Sequence, residues 1–172
     1  MKINKYSTRV LAAAFATILH AQNNPLSADA KRAFNGIKNN ILKSAEKMPD
    51  ENYSFRPTPA VRSFGQLIGH VADYHYIFCG AANGESKNSD LETAKTSKAD
   101  LIAVLKQSIA YCDGIFDAQS DAKAAEMIKL GNGQRTRLSR LYTVISHDNE
   151  HYGNIVTYLR MKDLVPPSSE GQ

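Results

Sequence analysis

The chain has 172 residues and contains 21 Lys and Arg against 17 Asp and Glu. This length suits one domain, because chains divide into several domains only beyond roughly 250 residues. Three of the cationic residues and none of the acidic ones lie in residues 1–21, which leaves 18 against 17 in the remainder. A nearly neutral domain without a clustered basic surface argues against nucleic-acid binding.

Residues 1–21 have the pattern of a secretory signal peptide. A basic start, MKINKYSTR, precedes the apolar run VLAAAFATIL, and Ala21 supplies a small residue at a cleavage point. The run is too short for a stable membrane span, which needs ~20 apolar residues. We therefore predict that residues 22–172 form the mature domain and that it is exported, either periplasmic or secreted. The alternative is that residues 1–21 begin with an ordinary helix of the domain.

Apolar residues at three- and four-residue spacing predict four amphipathic helices. Ser63 and Gln66 form a capping box at the start of the second helix and Gly84 ends it, whereas Pro166 limits the last helix. The fold class predicted is all-α, a four-helix up-and-down bundle, and the alternative is a helical domain with a small hairpin at residues 124–138. The predicted helices lie at residues 27–48, 63–84, 97–121 and 137–163.

Cys79 and Cys112 lie on the second and third helices. Export would permit a disulfide between them. If consecutive helices alternate in direction, however, Cys79 faces roughly residue 102, and Cys112 lies ~15 Å further along at 1.5 Å per residue. A disulfide needs Cα atoms within ~7 Å, so we expect two free, buried thiols.

His147 and His151 are four residues apart and share one face of the last helix. The pair alone is a weak signal, because a tetrahedral site needs three or four ligands. His70 lies on the buried stripe of the second helix, whereas His75 is rotated toward its flank. In an up-and-down bundle these two helices are parallel, and the three imidazoles lie at similar heights. We predict that His70, His147 and His151 bind a divalent metal ion and leave a position open; the alternative for His70 is a hydrogen-bonded core histidine.

Other polar residues near the predicted ligands are candidates for supporting roles. Glu150 is the candidate catalytic base, although a solvated or salt-bridged glutamate is equally compatible with its position. Asp73 and Tyr74, within one turn of His70, are candidates to orient a ligand, because ligating histidines commonly donate their second N–H to an oxygen.

The residues His147, Glu150 and His151 also spell H-x-x-E-H, the inverted motif of some zinc proteases. That class needs a further acidic ligand well downstream. Only Asp163 and Glu170 follow His151 as acidic residues. The incomplete ligand set argues against this class.

The chain resembles the DinB-like (DinB/YfiT) superfamily in the segments SFGQLIGHVAD and HDNEHYGNIVTYLRMKDLVPP. The resemblance extends over residues 27–168. It implies a four-helix bundle with a divalent ion, often nickel or zinc, on the histidines matching His70, His147 and His151. It also implies that the protein is a homodimer, since members often are.

Two departures from the family pattern concern the last helix. Asp163 stands where glycine is common, which affects the final turn. Tyr152 and Asn154 stand where Arg and Gln are common, which affects substrate contacts and not the ligands.

The predicted function is that of a DinB-like metal-dependent enzyme, a hydrolase that acts on a small-molecule substrate through a metal-bound water. One alternative is a metal-dependent thiol S-transferase, an activity known in relatives, because a metal can equally hold a thiolate. Another is a non-catalytic bundle that binds a metal or a partner protein. The sequence does not specify the substrate.

Overall fold

The computed structural model describes residues 24–171, and the predicted signal peptide lies outside this range. It confirms the all-α four-helix bundle, and it contains the hairpin of the alternative prediction as well, with Met127 paired to Thr136. No helix in the described range is long and apolar enough to cross a membrane. The helices are α1 (Pro25–Lys47), α2 (Phe64–Ala82), α3 (Leu91–Ala94), α4 (Lys98–Asp117), α5 (Asp121–Ala124) and α6 (Arg137–Arg160), and the strands are β1 (Met127–Leu130) and β2 (Gly133–Thr136).

Local sequence signals define the start of α2 and the turn that follows α6. The Gln66 backbone N–H donates to Ser63 Oγ at 3.2 Å, and the Ser63 N–H donates to Gln66 Oε1 at 2.9 Å, which is the reciprocal capping box. Beyond α6, Asp163 has φ 58° in the turn where the family pattern has glycine. The final turn is therefore kept, because aspartate tolerates the left-handed region better than most residues.

The directions of the helices differ from strict alternation. α4 runs parallel to α2, because His75 contacts Ser108 near the middle of both helices, and a Cβ on Gly65, near the start of α2, would lie 3.1 Å from Leu101. α6 runs antiparallel to α2, since the Tyr158 hydroxyl donates to the Arg62 carbonyl at 2.6 Å. The sequence-based assumption that α2 and the last helix are parallel was therefore wrong.

The segment between α2 and α4 explains this topology. Instead of turning at the end of α2, residues 83–97 return along it, and the short helix α3 packs on Gly69. α4 therefore starts beside the start of α2. Periodicity identifies a helix but not the path of the connection that precedes it.

Cys79 and Cys112 form a disulfide, so the prediction of two free thiols was wrong. The parallel arrangement places the two residues at the same height, with their Cα atoms 5.5 Å apart. Both are fully buried. The bond links α2 to α4 across 33 residues of sequence.

Candidate metal centre

The three predicted histidines meet between α2 and α6. Nε2 of His147 lies 3.3 Å from Nε2 of His70 and 3.1 Å from Nε2 of His151. Their ligand atoms all lie within 4.8 Å of one another, and within the described residues no cysteine or carboxylate belongs to this group. The arrangement thus offers three nitrogen ligands and leaves the remaining coordination positions to solvent or substrate.

The histidines converge even though α2 and α6 are antiparallel. Tyr158, close to the end of α6, lies beside Arg62, which precedes α2. His70 is eight residues beyond Arg62, and His151 is seven residues before Tyr158. At 1.5 Å per residue both positions are ~10–12 Å from this common end. The histidines therefore lie at the same height, as predicted, although α2 and α6 are antiparallel and not parallel.

The donor set fits a divalent ion. His70 Nδ1 lies 2.9 Å from Glu92 Oε2, an acceptor, so the His70 proton resides on Nδ1 and the lone pair of Nε2 faces the cluster. A single N–H on His147 cannot satisfy both of its close nitrogen neighbours. Two nitrogens bound to one tetrahedral ion at ~2.0–2.1 Å are ~3.3 Å apart, which matches the separations here.

Glu92, on α3, orients His70 and was not predicted from the sequence. Its other oxygen, Oε1, accepts a hydrogen bond from Arg62 Nε at 2.9 Å. The carboxylate of Asp73 accepts hydrogen bonds from the backbone N–H groups of Leu91 and Glu92 at 2.8 and 2.9 Å. These two bonds fix α3 against α2. Asp73 was predicted to support His70 directly, and it does so one step removed, by holding the helix that carries Glu92.

Aromatic rings enclose the cluster on the side of α2. The Tyr74 ring lies 4.5 Å from the His70 ring and 4.6 Å from the His147 ring, stacked on the latter. Phe78, one turn later, meets His147 edge-on at 5.3 Å. The predicted role of Tyr74 beside His70 is thus a ring contact and not a hydrogen bond.

The environment favours the neutral form of His70 and His151. Burial, followed by the neighbouring His147 and His70, lowers the pKa of His151 to about 4. Burial also lowers the pKa of His70, an effect that the hydrogen bond to Glu92 partly offsets. Neutral imidazoles are the form that binds a metal ion.

A second buried polar group lies behind His147. Asp148 Oδ2 lies 3.0 Å from His75 Nε2, and His75 Nδ1 lies 3.0 Å from Ser108 Oγ. Burial raises the pKa of Asp148, but the attraction of His75 and His147 and the hydrogen bond to His75 outweigh it, so the pKa lies below its ordinary value. Asp148 Oδ1 is also 3.8 Å from His147 Nδ1. His75 therefore belongs to this group and not to the three-histidine cluster.

Two cavities reach the histidines from outside. The larger, about 600 Å³, includes His151, and the smaller, about 310 Å³, includes His70. Arg62 and Glu92 line both, so their ion pair separates the two openings. The larger cavity is lined by Pro57, Thr58, Ala60, Val61, Arg62, Leu67, Glu92, His151, Asn154, Thr157 and Tyr158.

Glu150, the predicted catalytic base, lies apart from these cavities. Its side chain is exposed, and no hydrogen bond or ion pair links it to the histidines within the described residues. Asn154, one of the two departures from the family pattern, lines the larger cavity, whereas the Tyr152 hydroxyl donates to Ser168 Oγ at 2.9 Å. The role of Glu150 stays a prediction.

Comparison with known families identifies the fold. A family model of the DinB superfamily matches residues 33–155. The chain belongs to the DinB superfamily. The resemblance inferred from the two histidine segments is therefore confirmed.

Individual relatives agree with this assignment. The uncharacterized protein YjoA of Bacillus subtilis (strain 168) is 25% identical over 127 residues, which cover 67% of this DinB-superfamily chain and 77% of YjoA. A DinB-like protein from Bacillus cereus ATCC 10987 has a similar structure, with a TM-score of 0.71 at 15% identity over 81% of this chain and 95% of that one.

YfiT from Bacillus subtilis shares the fold with a TM-score of 0.62 at 14% identity, over 94% of this chain and 96% of that one. It is described as a probable metal-dependent hydrolase with an unusual four-helix bundle topology. In this DinB-superfamily chain the parallel α2 and α4 depart from simple alternation.

Proposed function

We propose that this protein is a metal-dependent hydrolase that holds a divalent ion, nickel or zinc, on His70, His147 and His151. The observation that carries the proposal is the convergence of three Nε2 atoms beside an open cavity. His147 Nε2 lies 3.3 Å from His70 Nε2 and 3.1 Å from His151 Nε2. Such an ion lowers the pKa of water or a thiol bound to it, which yields a nucleophile near neutral pH. The description of YfiT supports the hydrolytic reading of this site.

The chain's own residues supply orientation around that site. Glu92 accepts a hydrogen bond from the Nδ1–H group of His70, which directs Nε2 into the cluster. Tyr74 and Phe78 pack against His147 and limit its rotation. The cavity beside His151 has room for a small-molecule substrate.

Export is part of the proposal, and so is a homodimer, as in many members of the superfamily. The buried Cys79–Cys112 disulfide supports export, because such bonds persist in oxidising compartments and are rare in the cytosol. The state of assembly is measured by analytical ultracentrifugation of the purified protein.

Metal content tests the site directly. The full chain, expressed without a histidine tag, is analysed by elemental mass spectrometry beside His70→Ala, His147→Ala and Glu150→Gln. We expect about one equivalent of metal in the wild type and in Glu150→Gln, and its loss in both histidine variants, because all three imidazoles share one ion. Circular dichroism checks that each variant is folded.

The outcomes separate the alternatives. Equal metal in all four proteins, or none even after addition of zinc or nickel, would contradict a shared site and leave a non-catalytic helical domain. If the metal is present, ester and amide substrates tested against thiol acceptors distinguish hydrolysis from thiol transfer. Glu150→Gln then shows whether that residue serves as a base, since it is expected to retain the metal.

A further inference from the structure

Within the part of the chain that the structure describes, Arg62 is the one lysine or arginine that lines the larger cavity. It precedes α2, and the backbone carbonyl of the same residue accepts the Tyr158 hydroxyl, which joins this segment to α6. The arginine is thus attached at a defined place on the cavity wall. His151 lines the same cavity, so the guanidinium and the proposed metal site face a common space.

The guanidinium is held by one nitrogen and keeps its other donors available. Arg62 Nε donates to Glu92 Oε1 at 2.9 Å, and its two terminal amino groups form no hydrogen bond with the described residues. The side chain is 41% exposed. Arginine has five N–H donors in a rigid fork, and the terminal pair matches the two oxygens of a carboxylate.

Glu92 does not compete for that fork. One of its oxygens accepts from Arg62 Nε and the other lies at His70 Nδ1, so both are already engaged. Among residues 24–171, no other acidic side chain lines the cavity.

The rest of the cavity wall suits a short organic acid. Thr58, Asn154 and Thr157 offer hydrogen-bonding groups, and Ala60, Val61 and Leu67 offer apolar surface. About 600 Å³ accommodates a small metabolite and not a folded partner.

We propose that the substrate is a small organic carboxylate whose carboxylate group binds the terminal amino groups of Arg62, with the reacting part toward His151. This assignment rests on the proposed function for the reaction, but the anion site itself is defined by Arg62. Arg62 acts as a specificity-determining residue. It selects anionic over neutral substrates of the same shape.

The test uses the full chain stripped of metal with a chelator, so that its result does not depend on whether the histidines bind an ion. Succinate and the neutral succinamide are titrated at constant ionic strength, and the arginine Nε–H resonances are followed by NMR. We expect succinate to shift the Arg62 resonance saturably and at least tenfold more tightly than succinamide. Arg62→Gln should lose this preference, Arg62→Lys should keep it at lower affinity, and the exposed control Arg135→Gln should match the wild type.

Equal binding of the two compounds, no response at Arg62, or unchanged succinate binding by a folded Arg62→Gln would overturn the proposal. Loss of succinate preference in Arg135→Gln would do the same, because it would indicate a response to net charge alone. A response at Arg62 in a protein that binds no metal would retain the anion site while contradicting the metal-dependent function. The two failures are therefore distinguishable.

Discussion

His75 and Asp148 form a hydrogen-bonded pair that solvent does not reach, with Nε2 and Oδ2 3.0 Å apart and side chains 1% and 0% exposed. The pair lies directly behind His147, one of the three clustered histidines. Breaking one partner of a buried pair leaves the other without compensation, which costs about 3–5 kcal/mol. The pair therefore couples the packing of α2 and α6 to the position of a ligand.

Asp148→Asn should lower the free energy of unfolding by about 3–5 kcal/mol, measured by urea denaturation of the metal-free protein. The matched control is Glu46→Gln, which removes the exposed partner of Lys106 and should cost less than about 1 kcal/mol. A similar effect of the two substitutions would contradict the buried pair. A double variant with His75→Gln should cost less than the sum of the single variants, because the pair is lost only once.

Glu92→Gln should weaken metal binding about 10- to 100-fold, because an amide is a poorer acceptor for the Nδ1 proton of His70 than a carboxylate. A competition titration against a chelating dye measures the affinity. The control is Glu126→Gln, which removes the ion pair with Arg137 at the other end of α6. Unchanged affinity in Glu92→Gln would show that Glu92 does not support the ligand.

Gly69→Ala should displace α3 and carry Glu92 away from His70. A Cβ at this position would lie 2.7 Å from Glu92 Cα and 2.9 Å from Glu92 N, which are backbone atoms that cannot move independently. We expect a loss of about 1–3 kcal/mol in stability and weaker metal binding. Gly114→Ala, in an open position of α4, should instead gain about 0.5–1 kcal/mol from helix propensity.

The disulfide should contribute about 3–4 kcal/mol to stability, the value expected for a closed loop of this length. The Cys79→Ala/Cys112→Ala variant should show this loss in urea denaturation. Alkylation of the unreduced, unfolded protein followed by mass spectrometry should label neither cysteine. Labelling of both would show that the thiols are free in the isolated protein.

Acid should destabilise the metal-free protein as the pH falls below 6.5, through the buried His151. The folded-state pKa of His151 is about 4, against an ordinary value of 6.5, so the unfolded chain binds more protons between these values. Stability should therefore fall as the pH decreases from 6.5 toward 4, in urea denaturation at several pH values. His151→Asn should reduce the slope in this window, and an equal slope would contradict the lowered pKa.

The sequence contained enough information to predict the helices and the histidine cluster. Capping at Ser63 and Gln66, and the positions of His70, His147 and His151 on amphipathic faces, are local properties of the chain. Such local properties can be predicted correctly even when the predicted helix directions are wrong. The histidines met although the direction assumed for α6 relative to α2 was wrong.

The disulfide and Glu92 depend on long-range packing and could not be predicted in this way. Cys79 and Cys112 are level only because α4 runs parallel to α2. Glu92 lies in a four-residue helix without a periodic apolar pattern, and it reaches His70 because Asp73 and Gly69 hold that helix in place. No pattern within the segment 85–96 indicates where it docks.

The connection between Ala82 and Lys98 has a length that the topology requires. α2 contains 19 residues and is therefore ~28 Å long at 1.5 Å per residue. The 15 residues from 83 to 97 reach at most ~50 Å when extended, enough to return along α2 and still form α3. A deletion that left a tight turn would force α4 to reverse, so one shortened loop would exchange the topology and remove both the covalent link and the support of His70. Surface loops are usually the segments most tolerant of length variation; this one encodes a direction, and its length is expected to be among the least variable features of the chain.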